Sequence, residues 1–171
     1  MLPQPIRNFI DIFSKMPGIG PRQATRLAFK LISEGKNRLE ELSKTISNLK
    51  YLKICSFCFF PHSSQDNPEG SASGRTYGAG LCDICQNKNR RKDIIMIVEK
   101  ETDLISLERP KKYNGRYLII GELSKNGVLE SIEKLRLNNL KTFIQKELNG
   151  QAEEIIIATN PTTYGDLNAM I

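Results

Sequence analysis

Apolar residues in the first fifty positions recur every three to four places, the period of helices that bury one face. Ile6, Phe9, Ile10 and Phe13 make the first such stripe, which ends at Pro17-Gly18. A second helix is predicted from Pro21, where the missing N–H of proline costs nothing, with Ala24, Leu27, Ala28 and Leu31 on its inner face. A third is predicted to follow Asn37, an N-cap with Glu40 three residues on, and to bury Leu39, Leu42, Ile46 and Leu49. Beyond Arg90-Arg91-Lys92, read as a boundary, the period changes. Ile94-Ile95-Met96-Ile97-Val98 is an unbroken, β-branched-rich run and predicts a strand buried on both faces. A helix over 102–108, a turn at Asn114-Gly115, a strand over 116–120, a helix over 129–148 and a strand over 154–159 follow. Such alternation predicts a parallel sheet with helices on its faces.

Between these two halves lie all four cysteines, in two C-x-x-C pairs: Cys55 with Cys58 and Cys82 with Cys85. A C-x-x-C turn aims two thiolates inward at the ~2.3 Å that tetrahedral zinc requires, and two such turns close a four-sulfur site. One structural Zn²⁺ per chain is therefore expected, with no open position for water or substrate. The alternative is a disulfide pair or a redox dithiol, but one redox motif needs no second copy. The spacer between the pairs is somewhat longer than usual. Its stretch 61–80, rich in Ser, Gly and Pro, is expected to be an exposed loop. His62, the only histidine, is expected to be solvent-exposed there rather than a ligand.

The chain has 171 residues, enough for one ordinary domain or two to three small ones, and a formal net charge of +6. That excess, with a pI of about 9.2, points to an anionic partner, nucleic acid ahead of membrane. Solubility alone is the bland alternative. No apolar stretch approaches the ~18 residues of a membrane span. The start Met1-Leu2-Pro3-Gln4-Pro5 lacks a charged segment followed by an apolar run, so no signal peptide is expected. A reducing cytoplasm suits the paired thiols.

Met16-Pro17-Gly18-Ile19-Gly20-Pro21-Arg22 predicts a tight reversal, with Ile19 plugged between the flanking helices. Backbone N–H groups exposed at such a turn, at a helix N-terminus, seat a phosphate. This is a helix-hairpin-helix, which grips a DNA backbone without reading bases. Arg22, Arg26 and Lys30 fall four residues apart as one basic stripe, and Lys15 flanks the turn from the other side. The candidate DNA contacts are Lys15, Gly18, Gly20, Arg22, Arg26 and Lys30. A plain turn between packed helices, or an oligomer interface, uses the same residues.

Glu99 follows the run Ile94–Val98, and Asp103 lies four residues on. The C-terminal end of a parallel strand is the usual ligand position of open α/β sheets. Mg²⁺-dependent phosphoryl transfer places several converging carboxylates there. The last strand end offers Asn160, Pro161 and Thr162, with no Asp-x-Asp pair, and Tyr164-Gly165-Asp166 beyond. Glu99 and Asp103 are therefore read as capping or partner-facing charges rather than catalysts. No G-x-x-x-x-G-K-[ST] loop is present, so nothing supports ATP hydrolysis.

In this order the motifs resemble the RecR family of bacterial recombination mediators. The stretch from Pro17-Gly18-Ile19-Gly20 to Arg26-Leu27-Ala28-Phe29 is similar to the family's N-terminal signature. The stretch 93–99 with Asp103, Glu108-Arg109, Tyr113, Gly115 and Tyr117 resembles the opening of its Toprim (topoisomerase–primase) domain. Ala158-Thr159-Asn160-Pro161-Thr162 resembles a later signature of that domain. The departures are the longer cysteine spacer, a loose match over 121–127, and Tyr164 where the family usually has glutamate. The resemblance implies a mixed α and α/β fold in three segments. These are a helix-hairpin-helix DNA-binding region over 1–53, a four-cysteine zinc finger over 54–92 and a Toprim-like α/β domain over 93–171, C-terminally incomplete. It further implies a DNA-binding, clamp-like homo-oligomer, cytoplasmic and nucleoid-associated, that loads recombinase at gapped or single-stranded DNA with RecO and RecF. Nuclease and topoisomerase chemistry are not implied; a Mg²⁺-dependent phosphodiester enzyme of Toprim type is the alternative. The sequence stops at Ile171, before the family's C-terminal strand and helix, which help members assemble, and ring closure is open on that account.

Overall fold

The computed structural model describes residues 2–63, 80–123 and 129–160. It divides into two compact units, Met1–Lys50 and Tyr51–Ile171.

The first unit holds three helices, α1 (Gln4–Phe13), α2 (Pro21–Glu34) and α3 (Lys36–Asn48). Ala24 and Ala28 are buried on α2, where small side chains let α1 approach closely. Half-buried Ile6, Phe9, Ile10 and Phe13 complete the contact from α1, with the Phe9 and Phe13 rings stacked at 4.0 Å. The N-cap of α3 is Gly35 rather than Asn37. At φ +89° it ends α2 and at once restarts the chain, accepting the Leu39 N–H at 3.3 Å, so Asn37 falls inside the first turn. A left-handed residue between abutting helices favours glycine, and no separate cap is needed. The expected inner face of α3 is also corrected. Leu39, Ile46 and Leu49 are exposed, and Leu42 is half-buried. The packing neighbour of α3 in this unit is α2, and the apolar stripe is wider than that contact.

The second unit begins with a hairpin, β1 (Leu52–Ile54) paired antiparallel to β2 (Pro61–Ser63). His62 therefore sits in a strand opposite Lys53, half-buried, and not in an exposed loop. Only the first residues of the expected 61–80 loop, and Gly80, are described. After a short helix α4 (Asp83–Gln86) come β3 (Ile94–Val98), α5 (Glu101–Glu108), β4 (Arg116–Ile119), α6 (Ser131–Glu147) and β5 (Glu154–Ala158). The last three strands form a parallel sheet in the order β4-β3-β5. Both crossovers carry a helix, as parallel pairing demands. The helix predicted over 129–148 starts later, because Glu130 is its N-cap.

Strand pleating separates the core into two layers. Ile95, Ile97, Leu118 and Ile120 meet Leu140 of α6 on one face, with Phe57, Phe59 and Phe143 against them. Val98, Tyr117 and Ile119 meet Leu104 of α5 on the other, with Phe60 and Ile84. The aromatic residues around the first C-x-x-C thus reach both faces past the β4 edge. The Ile119 N–H on that edge donates to the Cys58 carbonyl at 3.1 Å. A cysteine turn therefore caps the strand whose open N–H groups would otherwise face water. The basic run is tied down as well: Arg90 pairs with Glu108 and donates to the Gly115 carbonyl, and Arg91 pairs with Asp93 and Glu153. At the opposite edge, β5 leaves Ile155 and Ile157 exposed.

Candidate metal centre and nucleic-acid interface

Cys55, Cys58, Cys82 and Cys85 are all buried, and their sulfur atoms lie within 4.8 Å of one another. None is in a disulfide: the Cys58 and Cys82 sulfurs are 3.4 Å apart, against the ~2.05 Å of an S–S bond. Four sulfurs ~2.3 Å from a common centre stand ~3.8 Å from each other, so the arrangement fits one tetrahedral ion. Local backbone brings this about. Phe59 takes a left-handed φ of 63°, and its N–H bonds back to the Cys55 carbonyl at 3.1 Å, curling the first turn. Cys82 is the N-cap of α4, and Cys85 lies within that helix. The thiols also bias one another. The hydrogen bond with Cys58 holds Cys55 far below the usual thiol range, while the bond with Cys55 pushes Cys58 and Cys85 far above it. Four adjacent thiolates cannot coexist on charge grounds, and a dication removes that conflict.

Sequence reasoning missed one residue here. Arg116, at the head of β4, is 8 % exposed and donates to the Cys85 carbonyl at 3.3 Å. Its guanidinium lies 5.1 Å from the Phe57 ring and 5.2 Å from Phe143. Among the described residues no carboxylate pairs with it. The only signal available was a charged residue opening an otherwise apolar strand.

In the first unit the hairpin turns at Gly18, whose φ of +77° is one that L side chains rarely adopt. The Ile19 N–H bonds to the Met16 carbonyl at 3.1 Å, and the Ile19 side chain is half-buried. Gly20 is the N-cap of α2 and offers no side-chain acceptor to the first-turn N–H groups, which helix geometry leaves unpaired. A Cβ at Gly18 or Gly20 would meet nothing within 4 Å, so the backbone is open to an approaching group. Lys15, Arg22, Arg26 and Lys30 are exposed. Lys30 is engaged with Glu34 at 3.3 Å, whereas Arg22 and Arg26 make no ion pair among the described residues.

The end of β3 carries two acids in different roles. Glu99 is 8 % exposed, and its Oε2 accepts from the Asn160 amide at 2.6 Å. Asp103 Oδ2 accepts the Lys100 N–H at 3.0 Å, closing a capping box on α5. Among the described residues only the cysteines form a group able to hold a metal; Glu99 and Asp103 belong to none. Thr162, Tyr164, Gly165 and Asp166 lie outside the described residues.

A helical hairpin with an open N-terminus and a parallel sheet edged by four clustered cysteines define a class: an α/β protein with a four-cysteine metal-binding site and a helix-hairpin-helix region. Comparison narrows it. Residues 6–50 match the family model described as RecR, helix-hairpin-helix, and residues 93–170 match the Toprim domain. Recombination protein RecR of Dehalococcoides mccartyi is 36 % identical over 167 residues, covering 96 % of this chain and 72 % of that protein. Its counterpart from Pediococcus pentosaceus is 36 % identical over 174 residues, covering 98 % and 76 %. The Enterococcus faecalis protein is 33 % identical over 171 residues, again covering 98 % and 76 %. The chain belongs to the RecR family. No helix among the described residues is long and apolar enough to cross a membrane.

Proposed function

We propose that this protein is a DNA-binding recombination mediator, with a role in recombinational repair that its relatives' name supports. The observation that carries the reading is the hairpin of the first unit: an open, glycine-flanked helix N-terminus beside exposed, unpaired Arg22 and Arg26. Phosphate contacts of this kind give sequence-independent binding. Lys15, Gly18, Gly20 and Lys30 extend the seat. The metal is Zn²⁺ held by Cys55, Cys58, Cys82 and Cys85, since a buried four-thiolate set is the usual structural zinc site. It supplies stability and no open coordination position.

The protein acts as a clamp-like homo-oligomer in the cytoplasm, associated with the nucleoid, and loads recombinase with RecO and RecF. The segment divisions at 53/54 and 92/93 belong to the same reading. Glu99 and Asp103 shape the end of the sheet for a protein partner such as RecO, Glu99 by holding Asn160 and Asp103 by capping α5. A catalytic Toprim site needs further acid where Glu99 meets the Asn160 amide, which favours a mediator over a phosphodiester enzyme.

The test is fluorescence anisotropy of the Arg22→Ala/Arg26→Ala double variant on two unrelated DNA sequences across a salt series. Affinity should fall about equally on both, and the slope of log K against log salt should shrink by about one unit per lost contact. Unchanged affinity with altered oligomer size would make the hairpin an interface instead.

A further inference from the structure

In the unit Tyr51–Ile171, a cavity of about 550 Å³ opens between the cysteine turns and α6. That volume lies within the ~300–1,000 Å³ of ligand pockets. Phe57 from the first cysteine turn and Phe143 from α6 meet edge to face in its lining, 4.6 Å apart and inclined 64°. Arg116 is set against both rings and bonded to the Cys85 carbonyl. Its charge adjoins the metal centre, where four thiolates around a dication leave a net negative charge, so that cation is locally balanced. Lys92 and Lys146 also line the cavity, are exposed, and make no ion pair among the described residues. Glu147 is the single acid among the described residues of the lining.

We propose that this cavity binds a nucleotide unit, its phosphate held by Lys92 and Lys146 and its base against the Phe143 face. Two lysines in the lining of one cavity favour a phosphate. The Asn139 amide in the lining supplies both a donor and acceptor. Thr142 donates its hydroxyl proton to the Asn138 carbonyl at 2.9 Å, which leaves its oxygen as an acceptor for a base or sugar group. Aromatic rings beside cations are how strand-binding proteins take bases without selecting among them. The inference goes beyond the hairpin reading and does not depend on it. The same chemistry is presented by a nucleotide within a single strand and by a free nucleoside monophosphate.

The experiment uses the zinc-loaded full chain and a Lys92→Ala/Lys146→Ala variant, matched for zinc content and circular dichroism. Probes are fluorescent oligothymidylate, followed by anisotropy, and free thymidine monophosphate as competitor. Affinity for the oligonucleotide should drop about tenfold at low salt, with the salt slope reduced by ~0.7 for the one phosphate that both lysines hold on a single strand. Competition by the monophosphate shows that free nucleotide also enters; its failure to compete assigns the site to strands. Binding of both probes by the variant as by wild type overturns the proposal. Independently, an oligonucleotide carrying 5-iododeoxyuridine should crosslink on irradiation to the peptide holding Phe57 or Phe143, and crosslinks confined to other peptides also overturn it. The Arg22→Ala/Arg26→Ala variant run alongside keeps failure of the hairpin reading distinguishable from failure here.

Discussion

At the scale of single residues, the cysteines decide the most. Each of Cys55, Cys58, Cys82 and Cys85 is buried, in a segment with a very small core of its own, and the proposed zinc would provide cohesion that packing cannot. Replacing Cys58 with serine should release the zinc on purification. It should also lower stability by more than about 3 kcal/mol, a fall in Tm of ~10 °C or more for a unit of this size. Zinc content by a colorimetric release assay and a thermal melt check both. The pH dependence has a definite sign: ligation needs thiolates, protons compete for them, and retained zinc must decrease as pH falls. A soluble, normally melting Cys58→Ser protein with full zinc would sink the assignment. Arg116 belongs to this scale too, as the charge that borders the thiolate cluster.

At the scale of elements, the cysteine turns and the sheet are mechanically joined. The Cys58 carbonyl receives the Ile119 N–H, and Phe57, Phe59 and Phe60 pack beside both layers of the core. Removing the metal should therefore loosen β4 before the rest of the sheet. Hydrogen exchange after treatment with a strong chelator is expected to show the Ile119 amide losing protection well ahead of the amides of β3, which lies between two neighbours. Equal loss in β3 and β4 would mean that the metal holds the whole unit rather than its edge. The first unit follows another logic. Gly35 lets α2 and α3 abut with no linker, and that economy leaves Ile46 and Leu49 well exposed.

At the scale of the whole molecule, the sheet has the topology on which phosphoryl-transfer sites are built, and the proposal is that this chain does not use it so. Glu99 after β3 is met by Asn160 from the end of β5, an amide donor where a shared metal would need a second acid. Incubation with Mg²⁺ or Mn²⁺ should produce no cleavage, relaxation or primer synthesis on plasmid or oligonucleotide DNA. Glu99→Gln should leave DNA affinity near wild type while weakening capture of a RecO partner in a pull-down. Metal-dependent cleavage that vanishes in Glu99→Gln would establish the enzyme reading instead.

Much of this was written in the order of residues. The paired C-x-x-C motifs dictate a four-sulfur site because two short turns leave thiolates few other arrangements, and all four sulfurs do converge. The switch from a period near 3.6 to continuous β-branched runs dictates helices followed by a parallel sheet, because backbone geometry ties each pattern to one element. Pro21 after Gly20 marks the start of α2 by the same local chemistry. Contacts between distant positions were not legible. His62 pairs with Lys53 in a strand, although its neighbours in sequence read as a loop, because a partner strand can override weak local preference. The stripe Leu39, Ile46 and Leu49 has the spacing of a buried face, yet spacing says nothing of whether a partner surface is present. Arg116 against Phe57 and Phe143, the Glu99–Asn160 bond and the cavity beneath α6 exist only because the fold brings together residues remote along the chain. Local periodicity carries no information about such meetings, and the tertiary structure alone decides them.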